Sequence, residues 1–251
     1  MSELDLNKPA GVLVKTTCVD FPGRVAGSFF LKGCNIRCPY CYNIGLVLED
    51  SAYDSEPLST VAELFAHLEK RQGILSGLVI SGGEPILNPY TPVIIKKARE
   101  LGYKIKIDTN GTLPEKLRAL VENPELRPDF IAMDIKTTPS RYATLICGDK
   151  SPFFGKSDYF EKVLCESAEI VAAYPADCRE WRTVLVPGLV TKEDITEMAK
   201  LLPQDASWQF AQFMNSNCLD PAYNDIYPYT DAEAGEIVEY AKSLIKGSSL
   251  R

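Results

Sequence analysis

Six short apolar runs that read as strands alternate with helix-like runs along this 251-residue chain. The strands are Val25 to Leu31, Gly77 to Ser81, Lys104 to Asp108, Asp129 to Ile135, Glu180 to Val186 and Ser207 to Phe213. Between and after them, helical patterns run from Leu58 to Arg71, Pro92 to Leu101, Pro114 to Val121, Asp158 to Tyr174, Lys192 to Leu201 and Ala232 to Ile245, the last closing the chain. Ser59 or Thr60 stands near the start of the first helix. Strict alternation of this kind implies parallel βα units with right-handed crossovers. Six units are too few for a closed eight-stranded barrel, so an open partial barrel or a doubly wound sheet fits. The expectation is an α/β chain, a partial (βα)6 TIM-like barrel with an open, parallel sheet. No repeat or linker divides it, which predicts a single domain over residues 1–251. Its core runs from about 24 to 214, after an N-terminal extension at 1–23 and before a C-terminal helix at about 230–246. Thr137 to Gly155 is the longest irregular piece and a candidate functional loop.

Composition narrows the class. Hydrophobic residues make up 45%, enough for a real core. The net charge of -7, from 27 basic and 34 acidic residues, argues against nucleic acid or an anionic membrane as a partner. No apolar run reaches membrane-spanning length, and Met1-Ser2-Glu3-Leu4-Asp5-Leu6 has neither a basic start nor an apolar signal core, so a cytoplasmic protein is expected. Only one histidine is present, His67, on a helical pattern where it reads as a surface residue. Histidine-rich zinc sites and Ser-His-Asp or Cys-His catalysis are thereby excluded elsewhere.

In parallel βα architectures chemistry gathers at the carboxyl ends of the strands. The motifs of this chain fall there. Cys34, Cys38 and Cys41 follow the first strand with the spacing C-x3-C-x2-C, and Tyr40 stands just before the last of them. Three thiolates in eight residues can hold three irons of a four-iron cluster and leave the fourth open to a small molecule. The other reading is a zinc or thiol binding module without catalysis, but structural zinc usually shows paired half-sites and no second half-site is present. Cys147, Cys165, Cys178 and Cys218 are isolated and read as buried small apolar residues and not as ligands of a second cluster, with Cys218, near the sixth strand end, the first candidate for an exception. Gly82-Gly83-Glu84-Pro85 follows the second strand, Asp108-Thr109-Asn110-Gly111 ends the third and Asp134-Ile135-Lys136 ends the fourth. Arg182 lies on the fifth strand, and Gln212 to Asn215 ends the sixth.

With these motifs the chain resembles the radical S-adenosylmethionine enzymes. The cysteine triplet corresponds to that family's cluster motif and Gly82-Gly83-Glu84-Pro85 to its second motif. The resemblance implies a single radical S-adenosylmethionine domain with a [4Fe–4S] cluster on Cys34, Cys38 and Cys41. The open iron would bind S-adenosylmethionine, whose reductive cleavage yields a 5′-deoxyadenosyl radical. Tyr40, Gly82, Gly83 and Glu84 would contact the cofactor, with Glu84 on its ammonium.

Most of the chain is similar, more narrowly, to the activating enzymes of glycyl radical enzymes. Val19-Asp20-Phe21-Pro22-Gly23 corresponds to their Val-Asp-x-Pro-Gly segment, which gives Asp20 a role beside the substrate peptide. Asp108, Thr109, the Ala132 carbonyl and Asp134 match a site for a monovalent cation, Na+ or K+, and Asp108, Asn110, Asp134, Lys136 and Arg182 match cofactor-contacting positions. Arg182 joins Asp20 as a catalytic candidate. The partner implied is a glycyl radical enzyme, with flavodoxin or ferredoxin as the electron donor. Two positions depart from the pattern: Tyr42 stands where histidine is common, and Gln212-Phe213-Met214-Asn215 lacks a further histidine. The ending Gln212-Phe213 with Leu219-Asp220-Pro221 is closer to the activating proteins of anaerobic ribonucleoside-triphosphate reductase. The stretch between Cys41 and Leu58 is too short for a two-cluster insert, so one cluster is expected. A radical enzyme acting on a small molecule or another peptide is the alternative within the same fold.

Overall fold

The computed structural model describes residues 4–48 and 57–251. Met1 to Glu3, and much of the stretch between Cys41 and Leu58, lie outside the described residues. In chain order the elements are strand β1 (Pro9–Thr17), β2 (Ala26–Leu31), helix α1 (Ile44–Val47), β3 (Ser59–Thr60), α2 (Val61–Lys70), β4 (Gly77–Gly82), α3 (Thr91–Glu100), β5 (Lys104–Thr109), α4 (Pro114–Glu122), β6 (Phe130–Asp134), α5 (Tyr142–Leu145), α6 (Ser157–Ala172), β7 (Arg179–Leu185), α7 (Lys192–Ala199), β8 (Ser207–Gln212), α8 (Asp231–Leu244) and β9 (Gly247–Leu250). Among the described residues no helix is long and apolar enough to cross a membrane.

The chain forms two compact units. The first takes in the described residues within Met1–Asn35, Asn43–Thr109 and Arg118–Ile131; the second holds Ile36–Tyr42, Asn110–Leu117 and Ala132–Arg251. In the first, the strand order is β3-β1-β2-β4-β5. β2, β4 and β5 run parallel, with Ala26 opposite Gly77 and Gly77 opposite Lys104. One strand face packs against helices: Phe29, Leu31, Leu78, Ile80, Ile105 and Ile107 are buried in one apolar cluster with Val61, Leu64 and Leu68 of α2 and Ile94 and Ile95 of α3. The i, i+3, i+7 spacing of the α2 residues places them on one helical stripe. Thr60 starts α2 with a capping box to Glu63, an arrangement worth about 1 kcal/mol.

In the second unit β7, β8 and β9 are parallel, with Trp181 opposite Trp208 and Ser207 opposite Gly247. The chain just after β6 joins β7 through the Ile135 amide, which donates to the Arg182 carbonyl at 2.8 Å. Thr183 Oγ1 donates to the Ile135 carbonyl and accepts from Trp208 Nε1, so a buried indole N–H is satisfied inside the core. Thr191 and Thr230 cap α7 and α8 with boxes to Asp194 and Glu233.

The six expected strands are present as β2 and β4 to β8, and the expected helices as α2, α3, α4, α6, α7 and α8. Three strands were not read from the sequence. Pro9–Thr17, inside the stretch taken as an N-terminal extension, is β1, paired antiparallel to β2. Helix α8 does not close the chain, because β9 follows it and pairs with β8. The two-residue β3 pairs with β1. The stretch from Thr137 to Gly155 is partly ordered into a 3-10 turn at Pro139–Arg141 and α5.

Candidate functional site

The candidate residues fall into two sets, one in each unit. In the first unit, β2 runs into Gly33 and Cys34, while its neighbour β4 ends at Gly82. The Gly83 amide donates to the Leu31 carbonyl at 3.0 Å and the Glu84 amide to the Gly33 carbonyl at 2.8 Å. Gly82 has φ +121°, and a Cβ there would stand 2.2 Å from the Leu31 oxygen. A Cβ on Gly83 would stand 2.2 Å from the Gly33 oxygen and 3.0 Å from Cys34 Cβ. The two glycines therefore bring the second motif's backbone hard against the entry to the cysteine loop, a close approach open only to residues without a side chain.

Glu84 is fully buried. Its Oε1 accepts from Thr109 Oγ1 at 3.0 Å and from the Ile86 amide at 3.3 Å, which also caps the short turn at Pro85–Leu87. Asp108 lies on the opposite face of β5 from Ile107 and receives Lys106 Nζ at 2.8 Å. Lys106 is fully buried and also stands over the Phe130 ring, 5.7 Å from its centroid. Sequence reasoning missed Lys106. Its signal was there: in Ile105-Lys106-Ile107-Asp108 two opposite charges share one strand face inside an apolar run. Asp20 is held by the Ser28 hydroxyl, which donates to its Oδ2 at 2.7 Å, and by its own amide, which donates to Thr17 Oγ1 at 3.3 Å. His67 lies on α2 as expected, its Nε2 hydrogen-bonded to the Lys15 carbonyl.

In the second unit, Cys38 is buried, and the Cys41 amide closes a turn by donating to the Cys38 carbonyl at 3.0 Å. Tyr40 is buried with its ring edge-on to Phe213. Asp134 at the end of β6 receives two cations: Arg182 Nε at 2.8 Å and Lys136 Nζ at 3.2 Å. The Lys136 amide donates to the buried Tyr142 hydroxyl at 2.7 Å, a contact that sequence reasoning also missed. Burial alone would lower the Lys136 ammonium, but Asp134, ahead of Tyr40, Cys38 and Tyr142, raises it well above the ordinary lysine value. Burial pushes the Tyr40 hydroxyl well up. Tyr42 keeps 48% of its surface exposed, and its hydroxyl is raised by partial burial and then by Asp134 and Cys41. Asn110 serves the turn after β5, its Oδ1 accepting from the amide and hydroxyl of Thr112.

The donor chemistry suits an iron–sulfur cluster. Three thiols stand within eight residues, none of the eight cysteines is in a disulfide, and soft thiolates select such clusters. The Tyr40 hydroxyl is buried with no hydrogen-bond partner among the described residues, as expected of a group that meets a bound molecule. Among the described residues no three His, Cys, Asp or Glu side chains are arranged to hold a single metal ion. The two carboxylates expected at a monovalent cation carry protein cations, Asp108 from Lys106 and Asp134 from Arg182 and Lys136. Thr109 gives its hydroxyl proton to Glu84, and Ala132 is buried on β6.

Comparison with known proteins agrees with this donor set. Residues 28–202 match the model of the radical SAM superfamily. The chain is 29% identical over 241 residues to a Methanocaldococcus jannaschii protein provisionally named a glycyl-radical enzyme activating enzyme, covering 95% of this chain and 94% of that one. A 7-carboxy-7-deazaguanine synthase of Aquifex aeolicus is 36% identical over 83 residues, covering 33% of this chain and 35% of that one. Among solved structures, QueE from Escherichia coli superposes with a TM-score of 0.52 over 98% of this chain and 91% of its own, at 14% identity, a likeness of fold alone. The fold class is thus the α/β, open parallel one expected, and the family model covers the cysteine triplet, the second motif and the ends of β5, β6 and β7. The chain is an enzyme and belongs to the radical SAM superfamily.

Proposed function

We propose that this enzyme activates a glycyl radical enzyme, taking a hydrogen atom from one backbone glycine of a partner protein, and that the partner is an anaerobic ribonucleoside-triphosphate reductase. When bound, the [4Fe–4S] cluster and S-adenosylmethionine supply one-electron cleavage to a 5′-deoxyadenosyl radical. The protein's work is orientation, electronics and exclusion of water. The observation that supports the activase reading is end-to-end likeness to a relative provisionally named for that activity, 95% of one chain against 94% of the other; the reductase as partner rests on the resemblance of Gln212-Phe213 and Leu219-Asp220-Pro221.

The residues suit these roles. Cys34, Cys38 and Cys41 hold the cluster. Glu84, buried and fixed by Thr109, presents a carboxylate to the methionine ammonium. Arg182 and Lys136, both held against Asp134, are cations of the kind that suits the methionine carboxylate. Asp20, fixed by Ser28 and Thr17, is a rigid acceptor for a backbone amide of the substrate peptide. Since Lys106, Lys136 and Arg182 already neutralise Asp108 and Asp134, the proposal assigns charge compensation to them, and Na+ or K+ to no essential role. Flavodoxin or ferredoxin supplies the electron.

The test is anaerobic reconstitution followed by turnover. A brown protein with about four irons per chain, lost in Cys38→Ala, is expected. Its 5′-deoxyadenosine release should rise on adding the reductase. Release stimulated by a small metabolite and never by a glycyl-radical protein would reject the activase reading in favour of a small-molecule enzyme.

A further inference from the structure

The second unit holds its part of the cysteine loop with residues 218–220, which run into Leu219-Asp220-Pro221 of the family-like ending. The Leu219 amide donates to the Cys41 carbonyl at 2.9 Å, and the Asp220 amide donates to the Pro39 carbonyl at 2.8 Å. Residues 218–220 therefore lie across Pro39-Tyr40-Cys41 as a backbone strap. The strap has its own scaffold. Asn224 Oδ1 accepts from the Cys218 amide at 2.9 Å, and the Asn224 carbonyl accepts from Asn215 Nδ2 at 3.3 Å. Between them Asn217 takes a left-handed φ of 55°, a conformation that asparagine tolerates better than most residues. Asp220 Oδ1 accepts from the Ala222 amide and starts the turn at Pro221–Asp225 that presents Asn224. Cys218, the first residue of the strap, is buried, and its thiol is raised by burial and by Cys41.

From this geometry we infer that Asn224 is a positioning residue for the cluster loop: its side-chain oxygen fixes residues 218–220, whose two amides in turn fix Pro39 to Cys41. Asn224 makes its side-chain hydrogen bond to the Cys218 amide and not to the cluster triplet. It acts through the strap, as an outer support acts on the ligands of a metal site. The consequence is kinetic retention of iron. A loop that must open to release a thiolate has first to break two hydrogen bonds to its own carbonyls, and those hold only while Asn224 holds Cys218.

The inference rests on the cluster role of Cys38 and Cys41 for its consequence alone, because the strap itself can be measured without iron. Hydrogen exchange on metal-free wild-type, Asn224→Ala and Asn224→Asp proteins reads the Leu219 and Asp220 amides directly. Asn224→Ala should speed exchange at both by about threefold to tenfold while amides of β7 and β8 are unchanged, and Asn224→Asp, which keeps an acceptor oxygen, should restore slow exchange. In reconstituted protein the same Asn224→Ala should lose iron to a chelator faster by a similar factor. Should Asn224→Ala fail to fold, Asn215→Ala removes the neighbouring bond and should shift exchange the same way. Unchanged exchange at Leu219 and Asp220 in the folded variant would overturn the strap. Faster exchange with unchanged iron release would overturn its role toward the cluster. A protein that binds no iron at all would count instead against the cluster reading.

Discussion

Arg182 Nε stands 2.8 Å from Asp134 Oδ1, and Lys136 Nζ approaches the other oxygen of the same carboxylate at 3.2 Å. Two cations thus meet one anion, with Asp134 at the end of β6 and Arg182 midway along β7. Removing the anion leaves two like charges facing each other, and removing Arg182 takes away a donor of fixed direction that lysine does not replace. Asp134→Ala and Arg182→Lys should each weaken S-adenosylmethionine binding by about tenfold, equivalent to about 1.4 kcal/mol, with iron content unchanged. Equilibrium binding to the reconstituted proteins, alongside iron analysis, checks this. Unchanged affinity would remove both residues from the cofactor's surroundings.

Thr109 gives its hydroxyl proton to Glu84, which is wholly buried. Replacing Thr109 by valine keeps the shape and removes one hydrogen bond to a carboxylate, worth about 1.5–3 kcal/mol. The expected outcome is a KM for S-adenosylmethionine raised at least tenfold and a smaller change in kcat, the pattern of lost ground-state binding. Steady-state kinetics of 5′-deoxyadenosine release separates the two parameters.

Gly83→Ala places a methyl group 2.2 Å from the Gly33 oxygen and 3.0 Å from Cys34 Cβ. Overpacking of this kind costs about 1–3 kcal/mol. Because the clash falls on the approach to Cys34, the variant should lose both stability in a denaturant titration and iron on reconstitution. A variant with full iron and unchanged stability would contradict the close approach.

How far the sequence could be read follows from the physics of each segment. β4 and β6 announce themselves as short, mostly apolar buried runs, β5, β7 and β8 by apolar or aromatic residues alternating with polar ones, and α2 because Val61, Leu64 and Leu68 keep helical spacing after a capping threonine. β1 hides because Lys15 and Thr16 are exposed on it, and because glycine at position 11 meets the Phe30 oxygen where a side chain would signal a strand. β9 is Gly-Ser-Ser-Leu, a strand only through its pairing with β8. In the site, cysteine spacing is covalent information and could be read at once. The Asp134–Arg182 pair joins residues 48 positions apart, and the resemblance gave the two residues separate roles without foretelling their contact. The strap at 218–220 reaches the cysteine loop through backbone amides, so the resemblance marked Leu219-Asp220-Pro221 without showing what it holds.

Cys165 offers a check on local electrostatics that is independent of the cluster. It is exposed on α6, yet its thiol is raised by partial burial and then by Glu169, whose Oε1 lies 3.7 Å away, and by Glu166. A raised thiol pKa means less thiolate at a given pH. Glu169→Gln removes the negative neighbour, lowers the thiol pKa and should speed alkylation of Cys165 at pH 8 by about twofold to fivefold. The advantage should fade as the pH rises above the thiol pKa in both proteins, because each is then fully thiolate. Peptide-resolved labelling rates across that range give the answer.

In the proposed function the hydrogen atom comes from a glycine in another protein. The direct measurement is electron paramagnetic resonance of the anaerobic reductase after incubation with the reduced, reconstituted enzyme and S-adenosylmethionine. The account predicts an organic radical signal on the reductase, absent with Cys38→Ala, absent when the reductase's acceptor glycine is replaced by alanine, and strongly reduced with Asp20→Ala. A reductase that stays without signal, while the enzyme releases 5′-deoxyadenosine in step with a small-molecule substrate, would contradict it.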